Sequence, residues 1–363
     1  MTAEVVGQAA IVSAIYQNVT GVVSLVVAIV VLLRALLWLR ARIHRPPAAT
    51  GDTELAGLLD TLVTHRTHRL AVIVAEEGRE PRTAFVDSAP HERFELGSLS
   101  KALTGLMIGD AIDRRELALD TRLDALVDDI APSLADITMS QLVTHTSGLP
   151  RLPTTPGMTA RALGHGVFLT NPYARMTARR VLSDAARSRR GPVGESLYSN
   201  LGAAVVGTSV AAAQGVSYSK LMQDRLFTPM GMVDTSASAH GTRAPRGWRG
   251  GRRAARWPMD GYAPAGGVVS TPADMARLAQ AIVDRSAPGV DTATKAVGRG
   301  HGIFWVLDGR GGVWHNGETG GYSSYLELEV DPVRRVIVVL ADSVPAAVQQ
   351  RIAEKIGDEL SVR

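Results

Sequence analysis

Ser98 and Lys101 stand three residues apart in the stretch Phe94-Glu95-Leu96-Gly97-Ser98-Leu99-Ser100-Lys101-Ala102-Leu103-Thr104-Gly105. On a helix that spacing places both side chains on one face, within reach of each other. A serine hydroxyl is a poor nucleophile until a neighbouring base takes its proton. Lysine becomes such a base where burial or the positive end of a helix dipole disfavours its charge. The pair suits nucleophilic catalysis, although a capping serine beside a solvated lysine has the same spacing. Two further stretches carry groups that complete the chemistry. In Leu197-Tyr198-Ser199-Asn200-Leu201-Gly202, the Tyr198 phenol relays a proton if nearby cations depress its pKa, and the Asn200 amide orients substrate and lysine. In Trp314-His315-Asn316-Gly317-Glu318-Thr319-Gly320-Gly321-Tyr322, the glycines let a substrate backbone lie alongside, and main-chain N–H groups are placed to stabilise an oxyanion.

The elements that must position these groups are readable from periodicity. The Ser98 stretch predicts a short strand, a tight glycine turn and an apolar helix running on through Leu106, Met107, Ile108 and Ala111. Ahead of it, Asp52 caps an amphipathic helix bearing Leu55, Leu58, Leu59, Leu62 and Val63. Residues 70–74 and 83–86 read as a strand hairpin across the turn at 77–81. The pattern is then helical for more than a hundred residues. Strands return at 302–307, 312–315, 322–330 and 336–340, an antiparallel meander, and an amphipathic helix over 345–360 closes the chain. A sheet thus begins before Ser98, is interrupted by a helical lobe, and resumes near the C-terminus. Tyr198 falls at the start of an apolar helix of that lobe and His315 on a strand of the sheet.

In this order and setting the motifs resemble the serine β-lactamase and penicillin-binding-protein superfamily, over roughly residue 52 to the C-terminus. Within it they resemble the class C-like branch that holds D-aminopeptidases, DD-carboxypeptidases and esterases. Ser98-Leu99-Ser100-Lys101 matches S-x-x-K, Tyr198-Ser199-Asn200 matches Y-x-N, and His315-Asn316-Gly317 stands where the family has K-T-G or H-x-G. Residues 142–150 and 265–272 look like structural landmarks around the site. The resemblance implies an α+β, β-lactamase/transpeptidase-like fold, an antiparallel sheet flanked by helices plus an all-helical lobe. It implies Ser98 as the acylated nucleophile, with Lys101 and Tyr198 sharing base and acid work. Asn200 would position substrate and Lys101, and the N–H groups of Ser98 and Glu318 would form the oxyanion hole. His145 would be a packing residue. The chain departs from the pattern at His315, where a lysine would be a permanent cation for a substrate carboxylate; histidine is charged only part of the time near pH 7. Asn316 and Glu318 are also less usual, and a carboxylate at Glu318 disfavours anionic substrates unless its side chain turns away.

Composition sets the remaining bounds. The chain has 363 residues, is 45% hydrophobic and 20% charged, and so reads as globular, one large domain or two interleaved lobes. It has no cysteine, which excludes thiolate chemistry and disulfides. The histidines show no H-E-x-x-H spacing, which argues against a metal hydrolase, and the acyl-enzyme chemistry that the resemblance implies calls for neither a metal nor an organic cofactor. Net charge is +4, with arginines clustered at 40–45, 179–190 and 243–256, but no nucleic-acid module accompanies them. The last cluster shares a glycine-rich loop with Trp248 and Trp257, an exposed cationic surface by composition. From residue 5 to 33 there is no charge, and 19–33 is almost purely aliphatic, long enough for a membrane span without a cleavable signal. The expected organisation is an anchor with basic flank at 1–45, a linker at 46–51, and a hydrolase domain at 52–363. Within that domain the sheet lobe takes about 52–110 and 260–363, and the helical lobe about 111–259. Arg34, Arg40, Arg42 and Arg45 follow the span and argue for a cytoplasmic domain, whereas the resemblance argues for the extracytoplasmic side near the cell wall.

The expected function is a membrane-anchored serine hydrolase acting on a small molecule or peptide: a D-amino-acid peptide, a cell-wall fragment or a small ester. The alternatives are a true β-lactamase and a non-catalytic, penicillin-binding-like sensor.

Overall fold

The computed structural model describes residues 21–22, 24–25, 27–33, 35–36, 46–64, 67–237, 244–249, 251–298, 300–331, 333–342 and 346–361. Most of the expected membrane span and its basic flank lies outside them. Among the described residues no helix is long and apolar enough to cross a membrane.

The centre is a seven-stranded antiparallel sheet whose members come from the two ends of the chain. Its strands are β1 (Thr50–Gly51), β2 (Leu70–Glu76), β3 (Arg82–Val86), β8 (Val306–Leu307), β9 (Val313–Glu318), β10 (Tyr322–Glu329) and β11 (Arg335–Asp342), in the order β1-β3-β2-β11-β10-β9-β8. β4 (Phe94–Glu95) pairs with β7 (Val269–Ser270), and β5 (Trp248–Arg249) with β6 (Arg252–Arg253). β2 and β11 are buried along their whole length because both sheet faces are covered. Side chains alternate between faces, so Ala71, Ile73 and Ala75 join the large core with Val336, Val338 and Leu340. Their neighbours Leu70, Val72 and Val74, with Ile337, Val339 and Ala341, join a second core. Leu55 and Leu59 of α1 (Thr53–Leu62) and Ile352 and Ile356 of the C-terminal helix Ala346–Ser361 close that second face. Asp52 caps α1, its Oδ1 accepting from the Leu55 N–H at 3.1 Å.

On the large-core side lies α2 (Leu99–Asp113), which carries Lys101. Every residue from Leu99 to Ala111 is buried, as expected of a helix apolar all round. α3 (Asn200–Ala213) is likewise almost wholly buried, and the Ser199 side chain caps it by accepting from the Gly202 N–H at 2.8 Å.

Two expectations need correction. Only residues 306–307 of the stretch 302–307 form a strand. Phe304 takes a left-handed φ of 61°, and the N–H groups of Ile303 and Phe304 donate to the carbonyls of Ala293 and Val143, so the chain bends instead of extending a ladder. The stretch expected to be all-helical also contains the β5–β6 hairpin, which carries three of the clustered arginines.

Candidate active site

Gly97 and Gly317 bring the site together. Gly97 has φ +53°, and a Cβ there would sit 2.6 Å from the Glu318 backbone nitrogen; one on Gly317 would run into the Leu96 carbonyl oxygen. Only bare glycine backbone lets β9 lie this close to the turn before α2. Register then orients the strand. The Thr319 N–H donates to Tyr322 O at 2.9 Å, and Glu318 is paired with Ser323. Ladder bonds alternate along an antiparallel pair, so the Glu318 N–H points away from β10 and toward the Ser98 turn. The Ser98 N–H opens α2, where the first N–H groups have no helical acceptor. A buried carboxylate braces this corner. Glu95 accepts from the Trp257 N–H and the Thr319 hydroxyl, both at 2.7 Å, and burial raises its pKa.

Lys101 is fully buried and makes three contacts through Nζ: Ser98 Oγ at 3.1 Å, Asn200 Oδ1 at 2.8 Å and the Ala265 carbonyl at 2.6 Å. Two of these partners are acceptors only. A neutral amine has two N–H bonds to give them, and its lone pair then faces the Ser98 hydroxyl. Burial, helped by the Arg151 charge, holds Lys101 well below the ordinary lysine range, which favours this neutral form. Asn200 is itself held, its Nδ2 donating to the Tyr173 hydroxyl at 2.8 Å.

Tyr198 hydrogen-bonds the Ser98 side chain, and its ring lies 4.8 Å from Lys101 Nζ. The sequence left open whether cations would depress this phenol. They do not: burial outweighs the Arg151 charge and pushes it up to about 12. At neutral pH Tyr198 therefore keeps its proton, and Lys101 is the group beside Ser98 with a lone pair to offer.

His315 lies behind the cleft rather than on its wall, 4% exposed. Its Nδ1 donates to the Asn316 carbonyl at 2.6 Å, and burial lowers its pKa to about 3. It is neutral at pH 7 and offers no cation to a substrate carboxylate. Its unfolded pKa is about 6.5, so its contribution to stability is complete above that pH and is lost as pH falls toward 3. His315→Asn is expected to flatten the dependence of unfolding free energy on pH between 6.5 and 4 by one proton, about 1.4 kcal/mol per pH unit. Urea titrations at several pH values measure this, and an unchanged slope would contradict the assignment.

His145 turns out to be more than filler. Its left-handed backbone and buried ring hold the turn before α3: Nδ1 accepts from the Ser199 N–H at 3.2 Å, and the ring packs 4.7 Å from that of Tyr198.

A cleft of about 450 Å³ opens over Ser98. Tyr198, Asn200, Asn316, Gly317 and Glu318 line it, as do Arg151, Tyr173, Trp257 and Met259, which no motif pointed to. The Glu318 side chain turns out to Arg249 on the β5–β6 hairpin, an ion pair of 3.3 Å. Among the described residues no group of three or more His, Asp or Glu side chains is placed to hold a metal ion.

A serine, a buried amine and a phenol thus meet beside strand β9, in a chain that matches a known family. The family model described as Beta-lactamase covers residues 55–356. The chain belongs to the Beta-lactamase family. It is accordingly a serine hydrolase, with the β-lactamase/transpeptidase-like α+β fold. The fold superposes on a class C β-lactamase from Rhodobacter sphaeroides with a TM-score of 0.69 at 18% identity, over 85% of this chain and 99% of that one. A D-amino acid amidase from Ochrobactrum anthropi SV3 gives 0.68 at 19% identity, again over 85% and 99%. In sequence, the chain is 28% identical to penicillin-binding protein 4 of Amycolatopsis lactamdurans over 275 residues, 65% of this chain and 68% of that protein. It is 30% identical to the D-alanyl-D-alanine-carboxypeptidase/endopeptidase AmpH of Escherichia coli K12 over 192 residues, 51% of this chain but only 47% of AmpH.

Proposed function

We propose that this protein is a membrane-anchored hydrolase that forms an acyl-enzyme at Ser98 on amide or ester substrates, of which a D-amino-acid peptide or cell-wall fragment is favoured over a small ester. The observation that carries this reading is the Lys101 amine, its two N–H bonds taken by Asn200 and Ala265 and its third position at Ser98 Oγ. Lys101 takes the Ser98 proton as Oγ attacks the carbonyl carbon. The resulting oxyanion accepts hydrogen bonds from the N–H groups of Ser98 and Glu318, an interaction commonly worth 10²–10³-fold per donor. The proton passes through Tyr198 to the leaving nitrogen or oxygen as the C–N or C–O bond breaks. Water then repeats the sequence on the acyl-enzyme and restores Ser98.

Peptide substrates are supported by the name of one relative, a carboxypeptidase/endopeptidase. β-Lactamase activity draws no support from the neutral His315, which cannot serve as a carboxylate-binding cation. The membrane anchor is supported by the helical stretch 27–33, where Val30, Val31, Leu32 and Leu33 are all exposed and would be covered by lipid. We place the catalytic domain outside the cytoplasmic membrane; a reporter that works only when exported, fused after Arg363, would be inactive on intact cells if that placement were wrong.

The full chain in detergent should hydrolyse N-acylated D-amino-acid dipeptides faster than nitrocefin. Efficient nitrocefin turnover with no peptide hydrolysis would make it a β-lactamase. Acylation without turnover of any substrate would favour the ligand-capturing sensor.

A further inference from the structure

We infer that Arg151 forms a carboxylate-binding subsite on the leaving-group side of the cleft, selecting substrates whose departing residue is an amino acid with a free α-carboxylate. This rests on the acyl-enzyme reading and specifies its substrate.

Arg151 follows Pro150 in a loop that leads toward α3 in space, its carbonyl accepting from the Leu201 N–H at 3.3 Å. Its side chain is exposed and lines the cleft beside Ser98. Among the described residues the guanidinium has no carboxylate within ion-pair distance and donates no hydrogen bond; it lies over the face of the Tyr198 ring, 5.6 Å from the centroid, and its charge acts on Lys101 and Tyr173. Arg151 is the one arginine lining the cleft among the described residues, and arginines of the 243–256 cluster are occupied. Arg249 pairs with Glu318 and donates to the Thr319 carbonyl, and Arg246, Arg253 and Arg256 donate to backbone carbonyls. An arginine fork presents five donors suited to a planar carboxylate, and at Arg151 they are open to the cleft.

Position says which part of the substrate it would meet. Tyr198 hands its proton to the leaving nitrogen, and Arg151 lies over the ring of that same tyrosine. In an amino-acid leaving group the α-carboxylate is one carbon from the nitrogen, so a nitrogen at the Tyr198 hydroxyl has its carboxylate within reach of Arg151. The other candidate cation, at position 315, is a neutral histidine out of the cleft. The one acidic side chain lining the cleft among the described residues, Glu318, is turned to Arg249. The cation for a carboxylate has thus moved from the sheet strand to the helical side of the site.

The test compares an N-acylated dipeptide bearing a free C-terminal carboxylate with the same dipeptide as its C-terminal amide. Both are assayed with the full chain in detergent, as wild type, Arg151→Gln and Arg151→Lys. Wild type should prefer the carboxylate by about 10- to 100-fold in kcat/KM, mainly through KM, with a preference that weakens as salt is raised. Arg151→Gln should bring the ratio close to one, and Arg151→Lys should restore part of it. Arg151 also helps keep Lys101 neutral, but that effect acts on both substrates alike and leaves the ratio untouched. A ratio that survives in Arg151→Gln, or wild type that does not distinguish the two, overturns the inference. Fluorophosphonate labelling of the wild type separates the two readings. If Ser98 is labelled but the ratio does not depend on Arg151, or neither dipeptide is turned over, the subsite fails alone. If Ser98 is not labelled, the acyl-enzyme reading fails with it.

Discussion

Ser98→Ala is expected to lower kcat/KM for any amide or ester substrate by about 10⁴- to 10⁶-fold, while the protein melts within a few degrees of the wild type. The loss is large because, among the described residues, Ser98 Oγ is the one hydroxyl hydrogen-bonded to Lys101 Nζ, and the Tyr198 phenol converges on it too. What activity remains would come from the oxyanion hole and substrate binding. Stability should hold because Lys101 keeps Asn200 and the Ala265 carbonyl, and alanine is no burden at a helix start. Steady-state kinetics and thermal melting of purified full-length protein check both parts. Activity within tenfold of wild type in a folded Ser98→Ala protein would remove Ser98 from the chemistry.

Replacing Lys101 should be damaging too and should also change the pH profile. Lys101→Ala is expected to lower kcat/KM by about 10²- to 10⁴-fold, the range of a positioned general base. Lys101→Arg should not rescue it, since a guanidinium stays protonated in proteins and has no lone pair to offer Ser98. With Lys101 as the proposed base and Tyr198 as the proposed acid, activity requires neutral Lys101 and a protonated Tyr198. The rate should rise as pH passes upward through the depressed Lys101 pKa, well below the ordinary value near 10.4. It should not fall again until the phenol ionises at about 12. The Lys101 variants should lose that lower limb. An active Lys101→Arg protein, or a lower limb that persists without Lys101, would place the base elsewhere.

The parts of this site legible in the sequence are those held by local periodicity and spacing. Ser98 and Lys101 belong to one helix, Tyr198 and Asn200 to one helix start, and residues 315–318 to one strand. The doubly buried sheet shows in β2 and β11 as unbroken apolar runs. What escaped is what depends on distant chain crossing the site. Arg151 and Tyr173 lie in loops with no motif, and the Ala265 carbonyl is a backbone atom that any residue could supply. Charge state was equally out of reach. The residue types at positions 198 and 315 are plain in the sequence, but only burial decides that the phenol stays protonated and the imidazole stays neutral. The bend at Phe304 was missed for a similar reason. Its apolar sequence is strand-like, and the carbonyls of Ala293 and Val143 that capture its neighbourhood come from elsewhere in the chain.

The most direct test of the central claim is to locate the covalent adduct. Full-length protein would be treated with a fluorophosphonate and, separately, with a fluorescent penicillin, then analysed by intact mass and peptide mapping. A single adduct on the peptide containing Ser98, formed faster as pH rises through the depressed Lys101 pKa, is the expected result. An adduct on another residue, or none from either reagent on folded protein, would contradict the acyl-enzyme account and bring the ligand-capturing reading forward.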